Sequence, residues 1–153
     1  MGYVERVLQP EETVVYKTTV HWCVYLQAIA WAVLAVIALL VSLRYEATGA
    51  SILRWIGLAL LAVAAMMALV AWIRRVTTEL AVTTRRIIFK AGLLQRQTFE
   101  INRSKVESVG VSQGLFGRLL GYGRLELKGT GASDQTLPVI SDPLRFRSFI
   151  TAS

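Results

Sequence analysis

The sequence predicts a membrane α-helical hairpin joined to an all-β domain that ends in a capping helix. Three observations predict it. Two long apolar runs, Trp22–Leu43 and Ile52–Ile73, stand almost back to back, with only the polar stretch Arg44–Ser51 between them. From Thr77 onward the texture changes to short β-prone runs broken by Gly and polar pairs. Near the end, Asp142-Pro143 precedes Phe146, Phe149 and Ile150, which recur on one helical face.

Each apolar run is as long as the ~20 helical residues that cross a hydrocarbon core. A small domain has no room to bury helices that are apolar on every face. The chain therefore divides into an N-terminal segment (1–20), a two-helix transmembrane hairpin (21–73, with spans 22–43 and 52–73) and a second domain (74–153). About 20 mixed residues precede the first run, and that run is too long for the apolar core of a signal peptide.

Charge separates the same parts. The chain has 153 residues, 54% hydrophobic, and a formal net charge of +7. Residues 1–73 balance Arg6, Lys17, Arg44 and Arg54 against Glu5, Glu11, Glu12 and Glu46, so the whole excess lies in residues 74–153. A basic domain tied to a bilayer faces anionic lipid, worth about 1 kcal/mol per nearby Lys or Arg. The anchor makes the lipid bilayer the expected partner and argues against nucleic acid, the other common partner of a basic domain.

Lys17, Arg74, Arg75, Arg85, Arg86 and Lys90 flank the membrane on the side of the two tails, against Arg44 and Arg54 on the loop side. Cytoplasmic flanks carry the Lys/Arg excess. The sequence thus predicts a multi-pass inner-membrane protein with both termini cytoplasmic. Trp22, Tyr25 and Trp72 then sit at the inner interface, Tyr45 and Trp55 at the outer one, and Arg74 and Arg75 anchor the second span. Arg54, near a helix end, snorkels to the headgroups. No other ionisable residue enters either span, whereas an ion or proton pathway normally needs such groups. Ala28, Ala32 and Ala35 share one helix face, as do Ala64, Ala68 and Ala71. Small residues at these spacings permit close packing, either within the hairpin or between subunits.

In the second domain, Glu79–Thr83 and Arg86–Lys90 flank the turn Thr83-Thr84-Arg85, and Ala91-Gly92 breaks the chain before Leu94–Ile101. Lys105–Val111, Arg124–Lys128 and Gln135–Ile140 follow. Period-2 patterning between turn signals predicts an antiparallel meander of about six strands, each burying one face. Leu115–Gly123 is too rich in glycine for a strand and too apolar for an exposed loop. It is expected to form a short helical turn whose Leu and Phe plug the sheet. Asp142-Pro143 starts the last helix, since a carboxylate accepts orphan N–H groups and proline suits the first turn. Glu12–Val20 is also β-prone, and it either adds a strand or runs along the interface.

Catalysis has little to build on. His21 is the only histidine and lies at the membrane boundary, where a polar interfacial role is the default. The aspartates are Asp134, in a Gly/Ser loop, and the cap Asp142. The single Cys23 gives neither an internal disulfide nor a metal cluster. Gly121 and Gly123 suggest a nucleotide loop only superficially, because Glu126 stands where the fingerprint needs its third glycine. No nucleophile–base pair and no metal-ligand spacing can be argued. The expectation is a non-enzyme without cofactor or metal.

Taken in order, these elements resemble the bacterial pleckstrin-homology-like membrane proteins with two transmembrane helices before one such domain. Leu8-Gln9-Pro10-Glu11-Glu12 followed by His21-Trp22 is similar to the family's approach to its first helix. Glu79-Leu80-Ala81-Val82-Thr83-Thr84-Arg85-Arg86-Ile87-Ile88 is similar to its first hairpin. Gly92-Leu93-Leu94, Ile101 to Val106, and Gly114 to Gly123 complete the series. The resemblance implies a PH-like barrel of two bent antiparallel sheets closed by the C-terminal helix. It further implies roles in scaffolding at the membrane and in envelope stress.

Eukaryotic relatives of the fold bind phosphoinositides through a basic first hairpin. Here that hairpin offers Arg85 and Arg86, with Lys90 beyond, and Arg96, Arg103 and Lys105 extend the basic character. These six are the candidate lipid- or partner-binding residues, set against the plainer reading of solvated turn residues. The denser Lys/Arg pattern of the lipid-specific members is missing. Three functions are therefore weighed. A membrane-anchored scaffold would recruit partner membrane proteins or copies of itself. A sensor of anionic headgroups is the second. An enzyme or channel subunit is the weakest.

Overall fold

The computed structural model describes residues 3–44, 48–92, 97–130 and 135–151. It contains two compact units, Trp22–Ile73 on one hand and Met1–His21 together with Arg74–Ser153 on the other.

The first unit is helical. A 3₁₀ turn (Trp22–Tyr25) leads into α2 (Leu26–Ser42), and α3 runs from Thr48 to Thr77. Both are long and apolar enough to cross a membrane, and only 11% and 17% of their most apolar stretches is buried. Core helices of a soluble protein would be mostly covered. The residues that are buried are small and recur every seventh position: Ala28, Ala35 and Ser42 on α2, and Ala50, Gly57, Ala64 and Ala71 on α3. A side chain at Gly57 would bring its Cβ within 2.8 Å of Leu39 Cγ and 3.4 Å of the Ala35 carbonyl oxygen, so the helices approach closely there. Small residues at a seam are what permit such an approach.

The second unit begins with a short helix α1 (Tyr3–Val7) and strand β1 (Val14–Thr18), both ahead of the helical unit in sequence. After α3 come β2 (Glu79–Thr83), β3 (Arg86–Ala91) and β4 (Gln97–Asn102). A 3₁₀ turn (Arg103–Lys105) leads to β5 (Val106–Ser112), α4 (Leu115–Leu120), β6 (Tyr122–Gly129), β7 (Gln135–Thr136), β8 (Ile140–Ser141) and α5 (Pro143–Thr151). All strand pairs are antiparallel, in two sheets: β1-β2-β3-β4, and β5-β6-β7 with β8 on the near end of β6.

Alternation places the core. Leu80, Val82 and Ile87 from the first sheet meet Leu125 and Leu127 from the second, and Phe146 and Ile150 of α5 close the cluster. Tyr16 of β1 stacks on Phe149 at 4.9 Å and meets Phe146 edge-on at 6.0 Å, so the first strand of the domain packs against its last helix. The opposite face of the first sheet is covered too, since Val4 of α1 packs on Ala81 and Ile88. This is why β2 is buried along almost its whole length.

The helix order departs from expectation at α1, a short helix ahead of the hairpin, and among the described residues eight strands stand where about six were expected. Of the two alternatives for Glu12–Val20, the structure has the added strand, β1. The single strand expected over Gln135–Ile140 is split around Pro138, which has no N–H for the ladder. The plug expected at Leu115–Gly123 is inverted. A helix forms there, but Leu115, Phe116 and Leu119 are 84%, 74% and 82% exposed, and the buried residue is Gly117. The cause is steric. A Cβ at Gly117 would fall 2.6 Å from the Tyr122 carbonyl oxygen, so only the bare face of α4 can lie against β6. Gly121, at φ +70°, ends the helix in the left-handed conformation that glycine adopts freely. The start expected for the third strand (Leu94), the outer aromatic Tyr45 and the loop aspartate Asp134 lie outside the described residues.

Candidate functional site

The β2–β3 turn was the expected binding element. Its two arginines behave differently. Arg86 is turned inward, with a side chain 13% exposed, against Glu12, whose side chain is fully buried. Arg86 Nε donates to Glu12 Oε1 at 3.0 Å, and Nη2 donates to Oε2 at 2.9 Å. Nη1 donates to Glu100 at 2.6 Å, and Nη2 also reaches the Val7 carbonyl at 2.8 Å. Glu12 further accepts the Thr83 hydroxyl at 2.6 Å and the Gln9 N–H at 2.9 Å.

Burial alone would raise the Glu12 carboxyl. The hydrogen bonds from Arg86, Gln9 and Thr83 outweigh it and hold the group at about 2. The same hydrogen bond from Glu12 raises the already high Arg86. Arg85 does face solvent, and its nearest carboxylate, Glu11, is 3.8 Å away and itself exposed. An exposed pair of this kind adds about 0–1 kcal/mol.

The other candidates are dispersed. Lys90 lies over the Tyr3 ring at 5.1 Å. Arg103 donates to the Phe149 and Ile150 carbonyls at 3.0 and 3.2 Å, a cation on the last turn of α5 where the helix dipole favours it. Lys105 is exposed in the β4–β5 link. Arg96 lies outside the described residues. The five described candidates therefore do not form one cluster around the turn. Trp22, Trp55, Trp72, Arg74 and Arg75 lie exposed at or near the ends of the helical segments.

Glu79 is a further internal carboxylate. It accepts the Tyr3 and Val4 N–H groups at the start of α1, at 3.1 and 3.4 Å, and pairs with Lys17 at 3.5 Å. His21 is buried beside Tyr122, with ring centroids 5.2 Å apart, and its backbone N–H donates to the Val139 carbonyl. Burial, then the charge of Arg75, lowers its imidazole, with Asp142 opposing. Among the described residues, no three His, Cys, Asp or Glu side chains gather as a metal site would require.

One candidate, Arg103, lines a further surface. Among the described residues β5 ends its sheet, with β6 on one side only. Between β5 and α5 runs a half-open groove of about 420 Å³, lined by Arg103, Val106, Glu107, Ser108 and Val109 on one side and Arg147, Ile150 and Thr151 on the other. A register shift between Val106 and Ser108 marks a bulge at Glu107 that bends this edge. No local pattern signals the groove, because which strand ends a sheet depends on pairing rather than on composition.

Two antiparallel sheets with a C-terminal helix packed on their core are consistent with a PH-like fold. The chain belongs to the bacterial PH domain family, whose model matches residues 13–151. That span starts just before β1 and ends with α5, so it takes in the strand ahead of the apolar helices as well as the helices themselves. PH domains are generally non-catalytic. No curated protein and no solved structure gives a significant match.

Proposed function

We propose that this protein is a membrane-anchored scaffold of the bacterial inner membrane, whose PH-like domain receives an extended peptide segment from a partner protein or a second copy. The observation that carries the reading is the β5 edge beside α5. A strand edge with no neighbour strand among the described residues, next to a groove of mixed polar and apolar lining, suits strand addition, in which main-chain hydrogen bonds supply affinity and side-chain pockets supply specificity. The two apolar helices, so little covered, fit an anchor that crosses the bilayer twice. The pairing of β1 with β2 supports this, because it brings the chain before and after the helices to one side. The Lys/Arg excess on that side favours a cytoplasmic placement for it. The competing reading, headgroup binding by the basic hairpin, loses support because only Arg85 of its two arginines faces outward.

The test uses the full chain in mild detergent, with a photo-crosslinking residue at Ser108 or, as control, at Arg85. A particle heavier than one chain, with crosslinks from position 108 and few from 85, is expected. Ser108→Trp, which fills the groove, should cut the complexed fraction about tenfold, equivalent to ~1.4 kcal/mol. A strictly monomeric particle without crosslinks at 108 overturns the proposal.

A further inference from the structure

Helix α4 presents its apolar face to solvent and its glycine to the domain. Leu115, Phe116 and Leu119 stand out together, and Leu144 at the start of α5 is also exposed. Arg118 and Arg145 flank a shallow hollow that also includes Leu144. Water-exposed apolar clusters on a small domain mark interaction surfaces.

The position of α4 within its own unit identifies what covers it. The helix ends at Gly121, and the next residue, Tyr122, packs its ring on His21. His21 is the last residue before the first apolar helix, and β1, which leads to it, pairs its final residue Thr18 with Leu80 at the start of β2, just after the second. Both points where the domain's chain passes to the apolar helices thus lie at the α4 end of the domain. The charge fits as well. Apolar side chains bordered by arginines suit the boundary between acyl chains and anionic headgroups, where the rings and aliphatic groups sink and the guanidinium groups stay at phosphate level.

We infer that α4 is a membrane foot: Leu115, Phe116 and Leu119 enter the interfacial layer of an anionic bilayer, with Arg118 and Arg145 against its headgroups. This rests on the reading that α2 and α3 span the membrane. The foot would fix the tilt of the domain and hence which way the β5–α5 groove faces.

The experiment uses the full chain, with Cys23→Ala to remove the native thiol, reconstituted in vesicles containing anionic phosphatidylglycerol. An environment-sensitive fluorophore is attached through Phe116→Cys, through Ser104→Cys as a domain control, or through Leu34→Cys as a span control. The expected result is blue-shifted emission at 116, quenched by lipids brominated near the headgroup end of the acyl chain. Position 104 should be unshifted and position 34 quenched by deeply brominated lipid. Adding Leu115→Ser and Leu119→Ser should at least halve the quenching at 116.

If 34 is quenched and 116 behaves like 104, the spans stand and the foot is overturned. A blue shift at 116 without lipid quenching means a protein surface covers α4, which also overturns it. If 34 itself escapes lipid quenching, the spanning reading fails and the foot fails with it.

Discussion

Arg86 grips Glu12 through two parallel hydrogen bonds of 3.0 and 2.9 Å, joining the second strand after the apolar helices to the segment before them. Arg–carboxylate pairs of this geometry are among the stronger polar contacts because both partners are charged and the fork fixes the direction. Here every acceptor of the buried carboxylate is engaged, by Arg86, Thr83 and the Gln9 backbone.

Arg86→Ala should leave Glu12 buried and unpaired, costing about 3–5 kcal/mol. Arg85→Ala, one residue earlier and solvent-exposed, should stay within about 0.5 kcal/mol. Thermal unfolding of the full chain in detergent measures both. The Glu12→Ala, Arg86→Ala double variant should lose less than the sum of the singles, since removing both partners leaves no orphaned charge.

Acid should weaken the same contact. In the fold Glu12 titrates at about 2, against 4.5 for the unconstrained group. Between these values the unfolded chain binds the proton and the folded chain does not. The contribution is therefore complete above about pH 4.5 and is lost as pH falls towards 2, amounting to roughly 3 kcal/mol. Unfolding midpoints measured from pH 6 down to 2 should fall, and Glu12→Gln should flatten that slope from a lower starting stability.

Gly57→Leu should loosen the helical unit, because its first side-chain atom already meets Leu39 at 2.8 Å. Overpacking of this kind costs about 1–3 kcal/mol. Gly49→Ala, which meets nothing within 4 Å, is the matched control. Intramolecular crosslinking yield between cysteines placed on α2 and α3 would report the separation.

Phe146→Ala removes the fully buried ring that closes the domain and contacts Tyr16. The expected loss is about 3–5 kcal/mol. Limited proteolysis should then cut first within α5, because that helix loses its anchor.

The alternating strands and the two apolar runs were legible because their information is local: period-2 patterning at Arg124–Lys128 survives unchanged as the alternately buried β6. What stayed hidden depends on distant partners. β1 is β-prone, but its place beside β2 is settled only once the intervening helices fold back. Arg86 looked like a solvated turn residue because Glu12 lies 74 positions away in sequence. α1 is five residues long and buries only Val4, too little for a periodic signal. At α4 the usual rule that Leu and Phe turn inward misled, because the backbone approach at Gly117 forces the opposite face against the sheet. The β5–α5 groove could not be read at all, since an edge is a property of the assembled sheet.

The sheet that contains β1 and β2 is interrupted in the gene by both apolar helices. During translation β1 leaves the ribosome first and has no neighbour until the helices and then β2 have emerged. Tyr16 must wait longer still, for Phe146 and Phe149 of α5. Assembly of the domain thus follows synthesis of both helices, and a nascent chain halted after them would carry an orphaned strand, open to chaperones and proteases.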